Sequence, residues 1–388
     1  MNTIRTALFL IGTSIGAGFI TGAELVRFFS EGYLPALLLS CLCYFGACAF
    51  FLSLGKKYGG YSGAMRALFG RGAPVAETVF LAIAFVPCAG MLAGLDALLP
   101  DVQPLASLGG LMVVLLFTAR GTKGICLLNT CLVPLLLTFV FYYGRGAFAF
   151  SRPLSGGGAL NALLYAGMNV AFAVPVFCEM GKSVRRPALA SGIAVFLIFL
   201  SAVCILSSVF RAGDGAVGAE MPFLQAVRGN KIFFSAVACA VLTSLASSVY
   251  PLLSACGKLR GAKKYAATAA VLLAAFAVSR IGLTDVIRVL YPAVGAFGAA
   301  FSAFCIFHEY FFKKYHEKVH ARRQHAEDKG RAHHKVKFKH LPAVDDEVSQ
   351  PRARNNVFAH DRADPRHSDV DFQHGNDGGI GRGQNEFP

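Results

Sequence analysis

The sequence predicts an all-α polytopic membrane protein with ten transmembrane helices, and three observations carry that reading. Hydrophobic residues make up 55% of the 388 and the mean hydropathy is +0.54, as in a chain buried in lipid and between its own helices. The apolar content falls into ten runs of span length, at about 5–29, 33–54, 75–98, 102–119, 125–143, 159–181, 189–210, 232–255, 265–283 and 285–308, and stops near residue 312. Loop charges alternate, with fourteen Lys and Arg on one side and six on the other. Both termini are therefore expected in the cytoplasm, with the chain threaded many times through the cell membrane.

Within the first run, Gly12-Thr13-Ser14-Ile15-Gly16-Ala17-Gly18 interrupts the apolar pattern. Each of its three glycines costs a helix about 1 kcal/mol relative to alanine and leaves peptide groups unshielded. Hydrocarbon tolerates irregular backbone only where protein or a wet cavity covers it, so a break halfway through a span predicts a binding site. Glu24 follows about two turns later. It reads either as a gate or proton carrier or as the ion-pair partner of Arg27, one turn on. The run is too long for the apolar core of a signal peptide, which makes it the inserting helix.

The fourth and ninth runs are broken by Gly109-Gly110 and Arg280, at matching places in a five-plus-five division of the spans, about 5–143 and 159–308, which points to an internal repeat. The sixth, Leu160 to Gly181, carries Gly167, Asn169 and Pro175; proline removes a helical hydrogen bond and obstructs the carbonyl four residues back. Alone this is a proline kink, but five spans after the glycine break it predicts a second discontinuous helix. The eighth run sets Thr243, Ser244, Ser247 and Ser248 near one helix face at mid-span. Such hydroxyls serve either their own backbone and neighbouring helices or a hard cation that takes oxygen ligands. Asp96 and Glu179 fall toward span ends, and the amphipathic piece from Glu220 reads as a re-entrant lid or an interfacial helix.

Composition also excludes some functions. Residues 1–312 carry 22 Lys and Arg against 10 Asp and Glu, but these lie in short loops and serve topology rather than nucleic acid. The eleven cysteines all lie in apolar runs without a CxxC pair and read as small buried hydrophobes. No phosphate-binding GxxxxGK[ST] loop is present, against direct ATP drive, and all ten histidines lie at His308 or later, so no catalytic constellation occupies the body. From about Lys313 the apolar periodicity ends; 313–388 reads as a disordered cytoplasmic tail or as the product of a shifted reading frame.

The stretch Gly12-Thr-Ser-Ile-Gly-Ala-Gly-Phe-Ile-Thr-Gly-Ala-Glu24, followed by Phe28-Phe29, resembles the first-span motif of the YkvI-like amino-acid permeases, a branch of the amino acid, polyamine and organocation superfamily. Asn169 to Pro175, with the basic loop after it, is similar to that family's second broken helix, and the match runs over about residues 3–308 in span order. The resemblance implies a LeuT-type fold: a 5+5 inverted repeat with discontinuous helices 1 and 6 around the substrate. It implies that main-chain groups of Thr13, Ser14, Gly16, Ala17 and Gly18 bind the substrate's carboxylate, and that Met168, Asn169 and Phe172 line the pocket. Sodium-coupled relatives hold a cation between span-one carbonyls and span-eight hydroxyls, which here implies Gly12, Ile15, Thr243 and Ser244. Some proton-coupled relatives place a lysine in span five; residues 125–143 contain no charge, which favours Na+ and leaves Glu24 as the proton-carrying alternative.

The expected function is secondary active symport of an amino acid or similar small zwitterion by alternating access, with no covalent catalysis and no cofactor apart from Na+ as coupling ion. The second reading is a membrane-embedded small-molecule sensor that uses the same pocket without flux; labelled-solute counterflow separates the two.

Overall fold

Long apolar runs closed by glycine, proline or basic residues form helices here, and every regular element among the described residues is helical. The computed structural model describes residues 2–30, 33–144, 156–219, 221–227, 231–257, 262–280 and 286–311, all within the unit Met1–Arg322. The expected tail, 313–388, and Glu220 lie outside the described residues.

Three pieces make up the first span: α1 (Thr3–Ser14), α2 (Ala17–Ile20) and α3 (Ala23–Phe29). The second is α4 (Tyr33–Tyr58). It leads into α5 (Tyr61–Phe69), a nine-residue helix in what the sequence presents as a loop, bounded by Gly60 at φ 109° and Gly70 at φ 53°. The first five spans close with α6 (Ala73–Leu98), α7 (Leu105–Thr118) and α8 (Thr122–Gly144). The second five begin with α9 (Gly156–Gly181) and α10 (Pro187–Ala212). Two short helices follow, α11 (Asp214–Val217) and α12 (Pro222–Ala226). Then come α13 (Lys231–Cys256), α14 (Ala262–Ser279) and α15 (Ile287–Phe311), the last starting in a π-type turn.

Among the described residues, eight helices are long and apolar enough to cross a membrane. The fourth expected span, α7, has 14 residues and reaches about 21 Å against a hydrocarbon core of about 30 Å. The ninth ends at Ser279, so Arg280 follows the helix rather than interrupting it. Its guanidinium lies 3.1 Å from Asp96 Oδ2, while Asp96 Oδ1 accepts the Ser107 N–H at 3.2 Å. A carboxylate only 2% exposed thus ties the ends of α6, α7 and α14 together. Glu179 is likewise tied off, by Lys182 and by the Tyr61 N–H at 3.3 Å.

The first span runs through the middle of the bundle. Its α1 packs on α8, α10 and α13, α4 lies along α9 and α10, and α13 packs on α6 and α8. Peripheral α14 buries only Ala275 and Ser279. All eleven cysteines are free thiols, most of them buried.

One expectation is corrected. The sixth span is not discontinuous: α9 is wound from Gly156 to Gly181 with Pro175 inside it. The residues that signalled a break do other work. The Asn169 side-chain amide donates back to the Tyr165 carbonyl at 3.0 Å, a bond within the helix. Gly167 is a contact point with α15, where an added Cβ would lie 2.6 Å from the Ala299 backbone nitrogen and closer still to the Gly295 carbonyl. Small residues that let two membrane helices touch backbone to backbone look the same in sequence as glycines that loosen one helix. We expect Gly167→Leu to destabilise the protein by about 3 kcal/mol, because backbone cannot yield to the new side chain. Gly46→Leu, with nothing within 4 Å of the new Cβ, should stay within about 0.5 kcal/mol. Thermal unfolding in detergent measures both, and equal melting temperatures would contradict the packing role.

Candidate substrate and cation site

The glycine-rich stretch of the first span is broken as its composition demands. Ile15 (φ −89°, ψ 92°) and Gly16 (φ −101°, ψ −168°) are extended, and the helical ladder resumes only where Ile20 donates to Gly16 and Thr21 to Ala17. The peptide groups between are left to other partners. Extended backbone suits any residue; glycine at 16 answers a need for room, since its Cβ would lie 2.7 Å from Met91 Cε. A second break falls at Gly22, whose φ of 82° favours glycine. The Thr21 carbonyl freed there accepts the Phe223 N–H at 2.7 Å. The segment read as lid or interfacial helix is therefore docked on the first span, with Phe223 fully buried.

On the carbonyl side of the first break, Ser244 Oγ lies 3.0 Å from both the Gly12 and the Ile15 carbonyl oxygens. A hydroxyl has one proton, so it satisfies one of the two carbonyls at a time. No backbone N–H among the described residues is donated to either. Three oxygens sharing one proton form an electron-rich cluster of the kind a hard cation binds. Thr243 stands apart, its hydroxyl donating to Ala240 O at 2.9 Å. Asn129, from the uncharged fifth span, reaches the same end of α1 and donates to Phe9 O at 3.2 Å.

The amide side has a partner the sequence did not flag. Met91 Sδ lies 3.3 Å from the Ala17 N–H, so a thioether, a weak acceptor, sits against the opened backbone. In sequence Met91 is one more apolar residue of a span, which is why composition and spacing miss it. Thr13 and Ser14 are tethered to other helices: Thr13 to Ser247 at 2.9 Å, and Ser14 to the Tyr44 hydroxyl.

Between these groups is a cavity of about 30 Å³ lined by Thr13, Ser14, Gly16, Glu24, Met168, Asn169, Phe172 and Ser244, together with Pro87, Met91, Ser247, Ser248 and Tyr291. Eight of the thirteen residues read from sequence thus share one cavity wall. Gly12, Ile15, Ala17, Gly18 and Thr243 lie just behind it, with the contacts described above for four of them. Gly18 is covered by Glu24, whose carboxylate would meet any Cβ placed there. The volume is in the range of water molecules and well below the 300–1,000 Å³ or so of ligand pockets, so the pocket is closed in this structure. Two larger cavities lie at opposite ends of the helices. One of about 570 Å³ adjoins Tyr58, Arg66, Glu179, Lys182 and Tyr250, where α4, α9 and α13 finish. The other, about 740 Å³, adjoins Arg27, Val217, Pro222 and Arg288.

Glu24 is 4% exposed and faces Tyr165 and Tyr291. It makes no ion pair with Arg27, which points into the larger cavity beside Arg288. The ion-pair reading of Glu24 is thereby removed.

No protein-family model matches the chain. The uncharacterised membrane protein YkvI of Bacillus subtilis strain 168 is 27% identical over 325 residues, which cover 76% of this chain and 93% of the relative. Among solved structures, the crystal structure of MhsT in complex with L-phenylalanine superposes with a TM-score of 0.55 at 17% identity, over 77% of this chain and 88% of that one. A Na+-coupled sialic acid symporter in its substrate-bound outward-open state gives a TM-score of 0.49 at 11% identity, over 79% of each chain. The resemblance to YkvI holds over most of the chain, and the fold of this integral, multi-pass membrane protein is the LeuT-type fold.

Proposed function

We propose that the protein is a secondary active transporter that carries a small zwitterion of amino-acid type by alternating access, coupled to Na+. The observation that carries this reading is the break at Ile15-Gly16. It presents two ladder-free carbonyls to Ser244 on one side and, on the other, an Ala17 amide held only by the Met91 thioether, next to the cavity that Gly16 and Met91 line. One interrupted helix suffices for both jobs, because its carbonyl end attracts a cation and its amide end an anion. The intact sixth span then acts as a wall through Met168, Asn169 and Phe172. The closed pocket between two wider cavities is the arrangement alternating access requires: each end opens in turn while the middle holds the solute.

Thr13, Ser14, Gly16, Ala17 and Gly18 are assigned to the solute's polar groups, and Gly12, Ile15, Ser244 and, with a smaller share, Thr243 to the sodium ion. Purified protein in liposomes preloaded with unlabelled amino acids should accumulate external labelled amino acid by counterflow, and more so with Na+ on both sides. Binding in detergent without exchange in liposomes would instead describe a sensor.

A further inference from the structure

The position of Glu24 calls for a cation that the protein does not supply. Its carboxylate is buried deep in the bundle, folded over Gly18 and lining the closed pocket. Ionised without a partner, a carboxylate there costs several kcal/mol, so the group carries its charge only when a cation joins it. No Lys or Arg among the described residues pairs with it; Lys57, Lys182 and Arg280 are engaged instead by Glu309, Glu179 and Asp96. Two further polar groups lie beside it. The hydroxyl of Tyr291, a residue 1% exposed, has no hydrogen-bond partner among the described residues, and that of Tyr165, 6% exposed, reaches only toward Glu24 and Asn169.

Carboxylate and phenol oxygens together offer three acceptor groups, and an ammonium has three N–H donors to match them. The surroundings suit an organic cation as well. Phe28 and Phe29 pack on Tyr165, with ring centroids 5.3 and 5.0 Å away, and Phe172 packs on Tyr291 at 5.3 Å. Aromatic rings beside a carboxylate favour an alkylammonium group, which their π faces attract and whose three donors the carboxylate and two phenols can receive.

We propose that Glu24, Tyr165 and Tyr291 form an ammonium subsite, so that the solute must carry a protonated amine and a carboxylic acid without one is rejected. This rests on the transport reading for its biological sense, but its test does not. Full-length protein in detergent is titrated by thermal shift with L-leucine, with isoamylamine, which lacks the carboxylate, and with isocaproate, which lacks the amine. L-leucine and isoamylamine should stabilise the protein and isocaproate should not. Glu24→Gln should weaken isoamylamine binding about 100-fold and Tyr291→Phe about tenfold, the scale of a charged and a single hydrogen bond. If Glu24→Gln does not fold, Tyr165→Phe and Tyr291→Phe carry the same comparison. The proposal is overturned if isocaproate binds as well as isoamylamine, if isoamylamine binding survives Glu24→Gln, if folded wild-type protein ignores isoamylamine, or if Na+ alone produces the Glu24-dependent shift. Failed counterflow with isoamylamine binding intact would remove the transport reading and leave the subsite. Leucine counterflow indifferent to Glu24→Gln would do the reverse.

Discussion

Replacing Ser244 with alanine is expected to abolish the sodium dependence of solute binding, and Thr243→Ala alone to weaken it much less. The two hydroxyls are neighbours in sequence but differ in what they touch. Ser244 Oγ is within 3.0 Å of the Gly12 and Ile15 carbonyl oxygens, so its loss removes one of three converging oxygens and leaves two buried carbonyls without a donor. The hydroxyl of Thr243 is already satisfied by Ala240 O of its own helix, and that bond must break before it can serve a cation. Loss of a ligand to a charged group is worth about 1.5–3 kcal/mol, a roughly 10- to 100-fold change in apparent sodium affinity. The measurement is solute affinity against Na+ concentration, with choline keeping ionic strength constant. Sodium stimulation that survives the Thr243 and Ser244 double replacement would exclude this cluster as the coupling-ion site.

How much of this could be read from sequence depends on which kind of signal a residue carries. Helix positions were legible because lipid imposes length and hydropathy on every crossing; the ten expected runs coincide with helices to within a few residues at most ends, and eight helices among the described residues are long and apolar enough to cross. The break in the first span was legible because three glycines in seven residues leave little else for the backbone to do. Gly167 and Pro175 misled because proline can be absorbed in a membrane helix whose neighbours re-satisfy the freed groups, and because a glycine at a helix crossing gives the same letter as one at a hinge. Sequence distance hid the other partners. Met91 lies 74 positions from the amide it covers, and Asn129 lies 120 from Phe9. Glu24 stands out in sequence because a charge follows the glycine break by about two turns, but whether Arg27 answers it is a question of side-chain direction on α3, which spacing one turn apart leaves open.

Leucine at Gly16 or Gly18 is expected to abolish solute binding in a protein that still folds, a combination that separates these glycines from the packing glycines. At Gly167 a new side chain strikes backbone, which must shift along a whole helix. At Gly16 the nearest atoms are the Met91 thioether and, at 3.4 Å, the Ser244 hydroxyl; at Gly18 they belong to the Glu24 carboxylate. These are ends of flexible side chains, and they can move aside at modest cost. What they move out of is the site. Leucine at 16 drives Met91 from the Ala17 amide and fills a cavity of about 30 Å³, while leucine at 18 expels the carboxylate that lies over the break. Each variant should lose at least about 100-fold in affinity for L-leucine, roughly 2.7 kcal/mol. Melting temperature should fall less than for Gly167→Leu. Gly109→Leu, with open space around the new Cβ, should bind normally. Wild-type affinity in a folded Gly16→Leu or Gly18→Leu protein would show that the solute is held elsewhere, since no small zwitterion can share that volume with a leucine side chain.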